Sequence, residues 1–249
     1  MWQRTRLPWS ESLPEPYVEH SPRAELRRHV ACVWFESSTR AGDQARSRAV
    51  ADSYIDLVFG RDLWVRGPDT HAHSIRYGAG SRFVGIRFRP GAAGAVLGVP
   101  ASDLVDRRVF LRELWGGAAD ELAERLSGMP EGAIADTLQA VVLERLRPRD
   151  PVSESVVALL TGEVRASTRT LAERVGLSER QLLRRSRLAF GYGPKTLQRI
   201  LRLQRFLGLA ATGRVGLSRL AFASGYADQA HLTRECRRLT GEAPTAFVP

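Results

Sequence analysis

The sequence predicts an α+β protein of two domains: a β-rich N-terminal domain with appended helices over residues 1–150, and an all-α C-terminal domain over 151–249. Three observations predict it. Short β-rich runs fill residues 28–90, helical periodicity fills the rest, and a helix–turn–helix pattern occurs twice in the last hundred residues. A chain of 249 residues is long enough for two cores, and its 43% hydrophobic and 26% charged content is that of a globular protein.

In chain order, His29–Phe35, Tyr54–Phe59, Leu63–Val65 and Phe83–Phe88 read as strands separated by Gly, Pro and Asp. In the last run Val84, Ile86 and Phe88 share one face and Gly85, Arg87 and Arg89 the other, which predicts a half-buried strand. Beyond Pro90 the pattern turns helical over Ala92–Leu97, Ser102–Val105, Ala118–Leu126 and Ile134–Leu146, broken at Gly116-Gly117 and Met129-Pro130. Arg147–Pro151, with two prolines and alternating charges, marks the domain boundary.

Past the boundary, Leu171-Ala172 followed by Gly176 matches Leu220-Ala221 followed by Gly225 at an offset of 49. Leu182, Arg184, Arg187, Gly191 and Pro194 match Leu232, Arg234, Arg237, Gly241 and Pro244 at an offset of 50, so the second turn is one residue longer. Local chemistry supports each copy. Ser167 and Ser178 suit N-caps, the latter with Gln181 in a capping box, and Gly176 suits the left-handed end of a helix. In the second copy Asp228 is the expected N-cap. Pro194 to Ala211 reads as one connecting helix, roughly 21 to 27 Å long at about 1.5 Å per residue. That length could hold two helices near the ~34 Å repeat of successive major grooves.

The charge of +10 is unevenly divided: residues 1–150 hold 21 Lys+Arg against 20 Asp+Glu, and residues 151–249 hold 16 against 7. A clustered excess of cations suits a polyanion, although a solvated basic face is the alternative on charge alone. The second helix of each unit sharpens the choice. Arg180, Leu183, Arg184 and Arg187 fall at i, i+3, i+4 and i+7, and Gln229, Ala230, Thr233, Arg234 and Arg237 share the exposed side of the other, with Leu232 and Cys236 inward. Arginine pairs bidentately with guanine and glutamine with adenine, and short side chains let a helix approach the bases.

These segments, LAERVGLSERQLLRR (171–185), GYGPKTLQRILRLQRFL (191–207) and LAFASGYADQAHLTRECRRLTGEAPTAF (220–247), resemble the AraC/XylS family of transcription regulators. The resemblance implies a seven-helix DNA-binding domain with two helix-turn-helix units joined by a long helix, acting on double-stranded promoter DNA. The family's base-facing positions fall on Arg180, Leu183 and Arg184 in one recognition helix. In the other they fall on Gln229, Ala230, His231, Thr233 and Arg234, with Arg237 toward phosphate. Where the family usually has a large apolar residue this chain has Ser186, and where another is common it has Arg185, so the first unit is expected to pack less tightly and to read less sequence.

The N-terminal half, through IDLVFG (55–60), RGPDTHAH (66–73) and FVGIRFRPGAAGAVLGVP (83–100), is similar to an uncharacterised sensor-type domain that accompanies some members. That implies a small barrel or cupin-like sheet with helices, sensing a small-molecule effector or forming a homodimer, with RNA polymerase as a further partner of an activator. The effector is not specified.

Other chemistry is thinner. His71 and His73 could offer two imidazoles to a metal near Asp69, but Pro68-Asp69-Thr70 reads as a turn, and no metal or cofactor is expected. Cys32 and Cys236 are too few for a disulfide framework or a four-cysteine zinc site, and a reducing cytoplasm fits. Cys32 lies in an apolar run and reads as inert core, not a methyl-accepting thiol. Asp52 and Asp56 would lie roughly 13 Å apart along a strand at ~3.3 Å per residue, too far for one acid/base step, so no enzyme is expected. Trp34, Trp64 and Trp115 are candidates to line an effector pocket or simply core. Met1–Pro16 lacks the apolar centre of a signal peptide, and no stretch reaches the ~18 to 20 apolar residues of a membrane span. A DNA-repair or DNA-modifying protein, targeted by the same helices, and a non-specific architectural DNA binder are the alternative readings.

Overall fold

The structure, a computed structural model, describes residues 17–37, 45–78, 80–162, 166–213 and 216–248. The reading of Met1–Pro16 lies outside them. Among the described residues the N-terminal part has eight strands: β1 (Tyr17–His20), β2 (Val30–Ser37), β3 (Ala45–Ala49), β4 (Ile55–Phe59), β5 (Leu63–Arg66), β6 (His73–Tyr77), β7 (Arg82–Phe88) and β8 (Arg108–Phe110). Six form an antiparallel sheet in the order β1-β2-β7-β4-β5-β8, and β3 pairs with β6 in a separate antiparallel ribbon. Val33, Ile86 and Leu57 lie abreast across β2, β7 and β4, which fixes the register of the apolar face.

That face is covered by α1 (Gly94–Leu97), α2 (Leu111–Trp115), α3 (Gly117–Leu126) and α4 (Glu131–Arg145). Val33, Leu57, Val65, Ile86, Phe88 and Val109 meet Leu111, Leu122, Leu126, Ile134, Leu138 and Val142 in one continuous buried core. The opposite face is also covered, which corrects the half-buried reading of β7. Cys32, Trp34, Val58 and Trp64 form a second buried cluster there, and a Cβ on Gly85 would stand 2.2 Å from Trp34 Cε2, so only glycine fits beneath that indole. Arg87, read as solvent-facing, instead donates from Nε to Asp56 Oδ1 (3.0 Å) and from Nη2 to Asp56 Oδ2 (3.2 Å). Arg66 Nη2 donates to Asp56 Oδ2 at 2.9 Å, so Asp56 is a structural counter-ion. Trp115 does not join Trp34 and Trp64. Its Nε1 donates to Leu97 O (3.3 Å) and its ring stacks under the Arg145 guanidinium, 3.8 Å away, on the helical side.

The C-terminal part is all helical: α5 (Pro151–Gly162), α6 (Thr168–Arg174), α7 (Glu179–Phe190), α8 (Pro194–Ala211), α9 (Leu217–Ala223) and α10 (Gln229–Thr240), closed by a 3₁₀ turn at Pro244–Phe247. Its core, centred on Leu197, Ile200, Leu203, Phe206 and Leu207 of α8, gathers Leu171, Leu182, Leu220, Leu232 and Phe247. Val50 and Ala51, from the loop before β4, are buried in this core as well. The α+β reading holds: an antiparallel sheet region precedes a helical region. Among the described residues no helix is long and apolar enough to cross a membrane.

Candidate nucleic-acid interface

The two helix–turn–helix units are built by the same backbone hydrogen bonds. In the first, Ser167 Oγ accepts from Thr170 N (3.0 Å), α6 buries Leu171 and Ala172, and the chain turns at Gly176 with φ +67. Gly176 N donates to Glu173 O (3.2 Å) and Leu177 N to Ala172 O (2.9 Å). In the second, α9 buries Leu220 and Ala221, Gly225 turns with φ +87, Gly225 N donates to Phe222 O (3.0 Å) and Tyr226 N to Ala221 O (2.9 Å). The offset of 49 is thus a repeat of hydrogen bonds as well as of letters. The longer second turn then places Asp228 as N-cap, accepting from His231 N at 2.6 Å. At the equivalent place Ser178 and Gln181 form the expected capping box, Gln181 N donating to Ser178 Oγ (3.3 Å) and Ser178 N to Gln181 Oε1 (2.9 Å).

Each second helix buries one stripe and presents another. In α7 Leu182, Ser186 and Phe190 are buried, while Arg180, Leu183, Arg184 and Arg187 are exposed. In α10 Leu232, Cys236 and Leu239 are buried, while Gln229, Ala230, Arg234 and Arg237 are exposed together with Arg238, a cation the sequence reading left out. His231 and Thr233 are half-buried. His231 Nδ1 accepts from Ala227 N (3.3 Å), and its ring stands edge-on to Tyr226 with 5.3 Å between centroids, so this imidazole braces the start of α10. Thr233 Oγ1 donates to Gln229 O (2.9 Å), and Gln229 Oε1 accepts from Ser218 Oγ (3.0 Å) on α9. A bidentate ion pair from Arg199 on α8 to Glu235 on α10, one arm 3.1 Å, fixes the second recognition helix to the connecting helix. α8 spans 18 residues.

Arg185 and Ser186, the two departures in the first unit, now have a setting. Arg185 Nη1 donates to Asp150 Oδ1 (3.0 Å), in the segment leading from the N-terminal part, and Ser186 is buried in the α7 stripe, its hydroxyl without a hydrogen-bond partner among the described residues. The sequence offers no local partner for Arg185, because Asp150 lies 35 residues away.

The remaining candidates do not converge. His71 Nδ1 lies 3.4 Å from Asp106 and His73 Nδ1 lies 3.7 Å from Asp69, so the two imidazoles serve different carboxylates. No group of three metal-ligating side chains occurs among the described residues. Both cysteines are buried; burial pushes the Cys32 thiol up to about 12 and raises that of Cys236.

A family described as "Helix-turn-helix domain" matches residues 171–248, the segment that holds both units. Residues 171–248 form an AraC-type helix-turn-helix domain. This domain supports DNA binding and a part in transcription regulation. Residues 18–110 match a domain of unknown function (DUF6597), which covers the sheet region. No curated protein matches the chain by sequence. Among solved structures the chain is similar to ToxT from Vibrio cholerae, at 8% identity over 86% of this chain and 97% of that one, with a TM-score of 0.46. It is also similar to unsaturated fatty acid bound wild-type ToxT from the same organism, at 11% identity over 94% of this chain and 95% of that one, with a TM-score of 0.44.

Proposed function

We propose that this regulator reads promoter DNA with both recognition helices, α7 entering one major groove and α10 the next, under control of its N-terminal domain. The observation that carries the reading is the pair of equivalent exposed faces, Arg180-Leu183-Arg184-Arg187 and Gln229-Ala230-Arg234-Arg237, held on one 18-residue helix. Arg180, Arg184 and Arg234 contact base edges, Gln229 and Ala230 lie close to them, and Arg187 and Arg237 contact phosphates. Leu183 and Thr233 supply apolar contacts, and His231 acts through the geometry of α10. The working division is a domain at 1–150 that senses a small molecule or mediates homodimer assembly, and a DNA-binding domain at 151–249. As an activator it would also meet RNA polymerase. The buried thiols, with Cys32 pushed to about 12, do not favour a methyl-accepting repair protein.

Selection from randomised duplexes, followed by footprinting of the selected site, tests this. The expected site spans about two helical turns and survives competitor DNA. Arg234→Ala should relax preference at one base pair at a cost of ~1 to 3 kcal/mol, whereas Arg237→Ala should weaken all sequences alike and flatten the salt dependence by about one unit of slope. An Arg234→Ala protein with the parent's preference would remove Arg234 from the base-reading set.

A further inference from the structure

The second recognition helix starts on a glutamine whose side chain is already engaged within its own unit. Gln229 is the first residue of α10, beside the N-cap Asp228, at the end of a recognition helix that leads into the groove. Its Oε1 accepts from Ser218 Oγ (3.0 Å) in the first turn of α9, and its backbone carbonyl accepts from Thr233 Oγ1 (2.9 Å). Ser218 and Gln229 are both exposed, as are Ala230 and Arg234.

The internal repeat shows that this approach of the two helices belongs to the unit. At the offsets of 49 and 50 that relate the copies, Ser218 corresponds to Arg169 on α6, and Gln229 to Glu179, the first residue of α7. There Arg169 Nε donates to Glu173 Oε1 at 3.0 Å, and its guanidinium feels the charges of Glu173 and then Glu179. In both copies a polar side chain of the preceding helix lies near the residue that opens the recognition helix. In the first copy that residue is an anion with no donor; in the second it is an amide with two N–H groups to give.

We propose that Ser218 is a positioning residue for base recognition: by holding Gln229 Oε1 it turns the amide so that Nε2 leads, and the base that Gln229 meets is guanine. The proposal deepens the DNA-reading role given above and rests on it. The oxygen and nitrogen of an amide diverge from one carbon, so an oxygen turned back to α9 leaves the N–H groups facing outward. In the major groove guanine offers two acceptors, N7 and O6. Adenine sets an N6 donor beside its N7 and would need the oxygen that Ser218 holds. Ser218 also keeps that oxygen paired once DNA excludes water, when an unpaired acceptor is costly. Pairing with adenine, the expectation for glutamine as a residue type, belongs to an amide free to present both atoms.

Selection from randomised duplexes with the full chain reads the effect. Gln229→Ala identifies the base pair concerned as the one that loses its preference, and the parent should select guanine there. Ser218→Ala should raise adenine against guanine at that pair by about fivefold, the worth of one hydrogen bond, and leave the pair read by Arg234 unchanged. Ser218→Thr keeps the hydroxyl and should select as the parent does. Adenine in the parent, an unmoved ratio in Ser218→Ala, or an equal loss at every position, as a loosened α9 would give, overturns the proposal. Side-chain amide nitrogen relaxation without DNA is the second readout. The Gln229 amide should be ordered in the parent and gain mobility in Ser218→Ala; equal mobility overturns the proposal whatever the variants bind. The two readings fail separately. A ratio unmoved by Ser218→Ala at a pair that Gln229→Ala relaxes removes Ser218 and leaves Gln229 reading DNA, whereas a Gln229→Ala protein that relaxes no pair removes Gln229 from the reading set and the proposal with it.

Discussion

Asp56 shows how much can depend on one side chain. It is 1% exposed and accepts three hydrogen bonds from the Arg66 and Arg87 guanidiniums, so two cations inside the domain share one carboxylate, and Arg87 also reaches Glu19 (3.2 Å). Asp56→Asn would remove the carboxylate that Arg66 and Arg87 share and leave Arg87 with Glu19, an expected loss of about 3 to 5 kcal/mol in urea denaturation. A loss below about 1 kcal/mol would mean that other groups hold the arginines. Residues differ in how far their roles can be read from the chain. Ser178 and Gln181 are three apart, so their reciprocal capping is written locally and was legible. Asp56 meets Arg87 across 31 residues, and Arg185 meets Asp150 across 35, so the first seemed a surface arginine and the second a defect in a family pattern.

At the scale of elements, the helices were legible because their ends carry caps and glycines at fixed offsets, and α8 runs from Pro194 to Ala211 as its spacing required. The strands divide. β2, β4, β5 and β7 are β-rich and apolar, whereas β1, β3, β6 and β8 have three to five residues, several of them charged, and take their conformation from their neighbours. The His71–His73 loop reading missed β6 for that reason: His73 opens a strand paired through Ala49. The glycine ending α7 offers an element-level test. Gly191→Ala forces a side chain into a left-handed backbone and against Val105, and should destabilise the chain by more than ~1 kcal/mol while freeing α7 from the N-terminal domain. Thermal denaturation reads the first effect and hydrogen-exchange protection of 186–195 the second.

For the whole molecule, the excess of positive charge falls in the half that holds the helix-turn-helix domain, but charge does not show how closely the halves are joined. Val50 and Ala51 lie in the C-terminal core, and Gln204 Nε2 on α8 donates to Ala51 O at 2.7 Å. A chain cut to 151–249 loses these contacts. Its helical core should be less stable than in the full chain by roughly 1.5 kcal/mol or more, about the burial of one valine. At ~4 to 8 °C per kcal/mol for a domain of this size, its midpoint should fall by 6 °C or more on the ~1.5 kcal/mol estimate. A fragment as stable as the intact chain would show that the loop before β4 only leans on the core. Sequence patterning could not show this, because two apolar residues in a loop look like any loop anchor.

The Arg199–Glu235 pair and the unbroken α8 between the two units have a last consequence, for the DNA rather than the protein. A stiff ruler measures phase. Half-sites moved apart by five base pairs, about half of a ~10.5 base-pair turn, would present the second one on the far side of the duplex. Promoters served by this protein should therefore tolerate a changed base better than a changed spacing.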